Sequence, residues 1–203
     1  MGVNWATGLM RWQPYVEASG KARPLNHLHP FRVRITLPAS ATSGEIDLDL
    51  EVGFSMHTFT RGRCATDAVA TIYTNARECR TFDDLRYTLS HRLPEVIKDL
   101  PSRKCYHARN DNYLSVADIT LQEAPCDYRR FFVLRRWSGK HAGSERPCVR
   151  LIVQSAYATP KSRKGREKLI RFQVLLHRTL GLTKGSKKAK APHECGAPYT
   201  GIS

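Results

Sequence analysis

Apolar and polar residues alternate strictly along Phe31-Arg32-Val33-Arg34-Ile35-Thr36-Leu37. They alternate again where Ile46, Leu48, Leu50, Val52, Phe54 and Met56 interleave with Asp47, Asp49, Glu51, Gly53, Ser55 and His57. A period of two sends successive side chains to opposite faces, so each run predicts a strand with one buried face. Pro38 to Gly44 reads as the loop of an antiparallel hairpin between them. The period then changes: Leu85, Leu89, Leu93, Val96, Ile97 and Leu100 recur at spacings of three and four, the apolar stripe of a helix. Thr81-Phe82-Asp83-Asp84 resembles a capping box at its start, Pro94 kinks or divides it for want of an amide donor, and Pro101 ends it. Thr66 to Arg77 reads as a short helix or a lead-in.

Three more strands are expected: Asn112 to Ala117, Tyr128 to Trp137, and Cys148 to Tyr157. Ser138 to Pro147, with two glycines, fits the hairpin connection between the last two. Lys168 to Leu180 fits both periods. Ile170, Phe172, Val174 and Leu176 alternate, whereas Leu169, Phe172, Leu176 and Leu180 fit a helix stopped by Gly181. The β-propensity of Ile-Arg-Phe-Gln-Val favours strand. Residues 1–30 form an irregular leader carrying Trp5, Trp12 and Tyr15, and 183–203 read as a disordered basic tail. The expected fold is α+β: one domain over 31–182, a single antiparallel sheet of five or six strands with helices on one face.

Composition adds a partner class. Among 203 residues, 33 Lys and Arg face 18 Asp and Glu, a net +15. From Lys161 to Lys190 eleven basic residues meet a single acid, Glu167, concentrating +10 in thirty positions. Such a field attracts polyanions, and each cation held against a phosphate releases counterions, so RNA or DNA is the expected partner. A solvated tail that only confers solubility is the alternative. A membrane partner is not expected, because no bulky apolar face accompanies the basic run after Leu182 and no segment is long enough to span a bilayer. With no secretory signal and six cysteines lacking any C-x-x-C pair, a cytoplasmic protein with reduced thiols is expected. No cofactor is expected, and His27-x-His29 and His193-x-Cys195 are weak as metal ligands.

Four constellations bear on chemistry. Asp47, Asp49, Glu51 and His57 share a strand face, as a carboxylate row that holds Mg²⁺ or serves a histidine general base, or as the solvated face of an edge strand. His57 leads into Arg61 and Arg63. The strand from Tyr128 sets Arg129, Phe131, Val133 and Arg135 on one face and Tyr128, Arg130, Phe132, Leu134 and Arg136 on the other. Arginines interleaved with aromatics suit phosphate contact and base stacking, or simply snorkel from an edge strand. The polar stretch Arg103 to Tyr113 supplies His107 and Arg109. Gln154 to Tyr157 closes the most apolar strand with polar residues. Metal-independent RNA cleavage needs a base, a cation for the phosphorane and an acid for the leaving oxygen, and His57, His107, Arg109 and Tyr128 offer these groups. Lys161, Arg163, Lys164 and Arg166 extend the phosphate-binding set. No Walker A, G-x-G-x-x-G, H-E-x-x-H or G-x-S-x-G pattern occurs.

In the order of a helix, a Tyr-Arg-rich strand (Tyr128-Arg129-Arg130-Phe131-Phe132) and a last strand ending in polar residues (Gln154 to Tyr157), residues 66–160 resemble the toxins of the RelE/ParE superfamily and their BrnT-like relatives. The resemblance implies mRNA cleavage neutralised by an antitoxin, with Arg109, Arg129 and Arg135 for phosphate and His57 or His107 for proton transfer. Three functions therefore stand at this level: a toxin-type endoribonuclease, a non-catalytic nucleic-acid-binding protein of a phage or mobile element, and a subunit of a nucleoprotein or defence complex.

Overall fold

The computed structural model describes residues 3–4, 9–40, 43–108, 112–122, 124–137, 146–161 and 168–182. In the leader, β1 (Val3–Asn4) pairs with β2 (Leu9–Met10), and β3 (Tyr15–Val16) with β4 (Ala22–Arg23). The hairpin β5 (Phe31–Leu37) and β6 (Ile46–Phe54) follows, then a 3-10 turn at Met56–Thr58. A small sheet is built from β7 (Thr60–Arg61), β8 (Ile72–Thr74) and β9 (Cys79–Phe82), with β9 central. Next come α1 (Asp84–Ser90), α2 (Leu93–Lys98), β10 (Lys104–His107), β11 (Tyr113–Leu121), β12 (Ala124–Trp137), β13 (Cys148–Pro160), β14 (Leu169–Arg171) and α3 (Phe172–Leu180).

The main sheet has seven strands in the order β14-β10-β11-β12-β13-β6-β5 and is mixed, because β13 runs parallel to β6. The expected α+β fold, a single antiparallel sheet of five or six strands with helices on one face, is thereby corrected: the described residues are mostly β, with three smaller sheets besides the main one and three short α-helices. Alternation along β6 predicted a half-buried strand, yet every residue from Leu48 to Phe54 is buried. β6 lies between β5 and β13, and its outward acids Asp49 and Glu51 are covered by the arginines Arg32 and Arg150 of those neighbours, so an alternating strand is buried on both faces.

Leu48, Leu50, Val52, Val149, Leu151, Val153, Tyr128 and Phe132 put one face of the sheet into the core, against Leu93 and Ile97 of α2 and Phe172, Leu175 and Leu176 of α3. The leader joins this core through Trp12, Tyr15, Leu25 and Leu28, all buried. Pro94 divides the expected helix into α1 and α2, and the cap is Asp83, whose side chain accepts from the Arg86 amide. The strand expected over Lys168 to Leu180 is also corrected. It stops at Arg171, and α3 buries Phe172, Leu175, Leu176 and Leu180 before Gly181 closes it in the left-handed region at φ +76°. Thr66 to Arg77, read as a short helix or a lead-in, contains a 3-10 turn and β8, while the polar stretch at 104–107 is a strand. The tail 183–203 lies outside the described residues.

Candidate nucleic-acid interface

Opposite the core, strand registers line up side chains in rows across the sheet. One row runs Arg135 (β12), Arg150 (β13), Glu51 (β6) and Arg32 (β5); the next runs Trp137, Cys148, Asp49 and Arg34. Arg150 is the hub. Its guanidinium donates from Nη2 to Glu51 at 3.0 Å and stacks on the Trp137 ring, 3.6 Å from the centroid. Arg32 reaches Glu51 at 3.7 Å and Asp49 at 3.9 Å. Asp49 and Glu51 are 5% and 3% exposed, so they serve as buried counter-charges for these arginines. Arg34 and Arg135 stand exposed on the same face.

Further along the sheet the face turns aromatic. Leu169, Tyr106, Leu114, Phe131 and Ser155 form a continuous row, and Phe131 stacks with Tyr157 at 5.7 Å between centroids and 20° between planes. Arg129 lies opposite Val116 and Tyr157, with Nη2 3.7 Å from Asp127, and exposed Lys104 and Arg171 pair at the sheet edge. Two basic regions thus flank aromatic rings on one surface.

The remaining sequence candidates scatter. Arg61 grips Asp67 with both terminal nitrogens; with the Cys64 amide and the Thr81 hydroxyl, it holds that carboxyl well below the usual range. Arg63 and Arg136 are exposed, and Lys161 pairs with Asp118 at 3.2 Å. Arg130 is 1% exposed and donates to the Ser115 carbonyl and hydroxyl; burial lowers its pKa to about 10. Tyr128 is 1% exposed, its hydroxyl donates to the Leu89 carbonyl, and burial pushes the phenol up, so it belongs to the core. His107 lies on β10 beside the Tyr113 ring. Arg109, Arg163, Lys164 and Arg166 lie outside the described residues.

His57 leaves the acidic row, because the chain turns into a 3-10 helix at Met56. There its Nε2 sits 3.0 Å from both carboxylate oxygens of Glu78, with Arg80 3.7 Å from the same carboxylate. Glu78 is held by a turn in which the Asn75 side-chain oxygen accepts from the Arg77 and Glu78 amides. Beside it opens a cavity of about 210 Å³ lined by Leu9, Met10, Trp12, Phe54, Ser55, Met56, Asn75, Arg77, Glu78 and Ile152. Sequence reasoning missed Glu78; the turn-forming Asn75 was the available signal. His27 and His29 do not converge on a metal: His27 pairs with Ser90 and His29 with the Trp12 carbonyl. Among the described residues no cluster of three or more metal-ligating side chains occurs, and no helix is long and apolar enough to cross a membrane.

Residues 15–180 match the YjaZ family, and the chain belongs to it. Neither the curated proteins nor the solved structures contain a match.

Proposed function

We propose that this chain binds nucleic acid through the outer face of its seven-stranded sheet. The observation carrying this reading is the row Arg135, Arg150, Glu51 and Arg32 beside Trp137 and Asp49, with exposed Arg34 and Arg135 on the same face beyond the arginines that the two buried acids neutralise. Guanidinium forks suit phosphate oxygens, and ring faces accept any base, so the surface favours backbone grip with stacking over reading of sequence. The net charge of +15 supplies long-range attraction. The test is titration of purified protein with labelled single-stranded RNA and DNA at several salt concentrations. Steeply salt-dependent binding supports the proposal, and no binding at low salt ends it.

A second reading, metal-independent RNA cleavage, is favoured by the His57–Glu78 pair. With Nε2–H donated to Glu78, Nδ1 is the basic nitrogen. It would take the 2′-hydroxyl proton while the 2′-oxygen bonds to phosphorus and the P–O5′ bond breaks, leaving a 2′,3′-cyclic phosphate and a 5′-hydroxyl whose proton comes from solvent water. Cleavage that persists in EDTA and is lost in His57→Ala supports this reading; intact RNA with the wild-type protein overturns it.

A further inference from the structure

We infer that the cavity beside Glu78 receives one unpaired nucleobase, extruded from the strand lying on the sheet. This rests on the reading of the sheet face as a nucleic-acid surface and names the form of the ligand: single-stranded rather than duplex.

The walls are of the right kind. Leu9, Met10 and Trp12 of the leader line it together with Phe54, Met56 and Ile152. These are apolar, aromatic and thioether surfaces, against which a flat ring packs without losing hydrogen bonds. Trp12 is fixed in place: its indole N–H donates to the Phe54 carbonyl at 3.1 Å, and its ring meets Phe59 edge-on at 5.3 Å. The wall is therefore built before any ligand arrives, and little ordering cost falls on binding.

The polar groups sort the ligand further. Glu78 is an acceptor with lone pairs beyond the edge used by His57, so it favours rings bearing N–H donors and repels free carboxylates and phosphates. The exposed Arg77 lies at the same cavity and suits the phosphate that must stay outside. Size sets the limit. At about 210 Å³ the space is smaller than the roughly 300–1,000 Å³ of sites for larger ligands, so it admits one ring system and not a dinucleotide cofactor.

Position completes the case. Ile152 in the cavity wall is two residues along β13 from Arg150 in the basic row, about 7 Å of strand. A chain whose phosphates follow the arginines passes the mouth of the cavity. A base paired in a duplex cannot enter; one in a single strand can turn in at small cost.

The test uses the full chain and an oligonucleotide carrying one 2-aminopurine, single-stranded or annealed to its complement, with Arg77→Ala and Glu78→Gln as variants. The expected results are binding of the single strand at least about fivefold tighter than the duplex, the lower end of what stacking one base contributes, and quenching of the probe. Both variants should diminish that preference while retaining the wild-type circular dichroism. Equal affinity for single strand and duplex with unchanged probe fluorescence overturns the inference and leaves the sheet-face reading standing. Absence of binding to either form overturns both.

Discussion

The guanidinium of Arg150 lies 3.6 Å from the centroid of the Trp137 ring, held there by its hydrogen bonds to Glu51. Arg150 is 14% exposed and Glu51 4% at the side chain, so the pair is largely withdrawn from water. Removing Arg150 leaves the buried Glu51 carboxylate the longer contact to the exposed Arg32 at 3.7 Å, so the charge loses its main partner. Arg150→Ala is expected to lower unfolding stability by about 3 kcal/mol in urea titration. Combining it with Glu51→Gln should recover a large part of that loss, because the buried charge goes with its partner. Equal loss in single and double variants would mean the guanidinium stabilises by packing on Trp137 alone.

Arg34 and Arg135 share that face but are exposed, and neither is a buried counter-ion. Arg34→Ala with Arg135→Ala should leave thermal unfolding nearly unchanged. It should reduce the slope of log affinity against log salt for single-stranded nucleic acid by about 1.4 if each arginine holds one phosphate. An unchanged slope would place the bound strand elsewhere.

What the sequence displayed was local. Period two marked β5, β6, β12 and β13, and the division at Pro94 was visible because a missing amide is a local fact. The alternation of Arg129, Phe131 and Val133 against Tyr128, Arg130 and Phe132 is kept in the burial along β12, although the pairing with β13 shifts between Phe131 and Phe132. Hidden were pairings decided by distant chain: the parallel contact of β13 with β6 and the meeting of His57 with Glu78 twenty-one residues away. In α3 the two periods coincided at Phe172 and Leu176; packing against the core chose the helix that strand propensity opposed.

His27 gives the fold a pH dependence. Its ring stacks on His91 at 3.7 Å and 16°, its Nε2 lies 2.7 Å from the Ser90 hydroxyl, and Tyr87 stands edge-on at 5.8 Å. Burial first, then the neighbouring His91 and His29, lowers its pKa from 6.5 to about 4, and burial also lowers His91. The unfolded chain therefore binds more protons than the folded one between these values. The associated stability is present above 6.5 and is lost as pH falls through the window toward 4. After discounting for partial solvent screening, a loss of about 1–2 kcal/mol is expected from His27. Unfolding midpoints measured from pH 7.5 to 4.5 should fall for the wild type and fall less for His27→Asn. Parallel curves would assign the acid sensitivity to other groups.

Gly53 is where the leader meets the sheet. A Cβ at this position would lie 2.7 Å from Leu9 Cδ2 and 3.2 Å from Ile152 Cδ1, closer than side chains tolerate. The atom in the way is the end of a flexible side chain on the two-residue strand β2, so the leader yields before the sheet does. Gly53→Ala should accordingly cost about 1 kcal/mol of global stability, the low end for overpacking. Its larger effect should be local: trypsin cleavage after exposed Arg11 accelerates, while Trp12, tied separately to the Phe54 carbonyl, keeps its place. Leu9→Ala vacates the space that the new methyl needs, so the double variant should be less strained than the sum of the singles. Because Leu9 also walls the cavity beside Glu78, Gly53→Ala should weaken 2-aminopurine quenching, and a Gly53→Ala protein with wild-type proteolysis and quenching would show that Leu9 does not pin the leader.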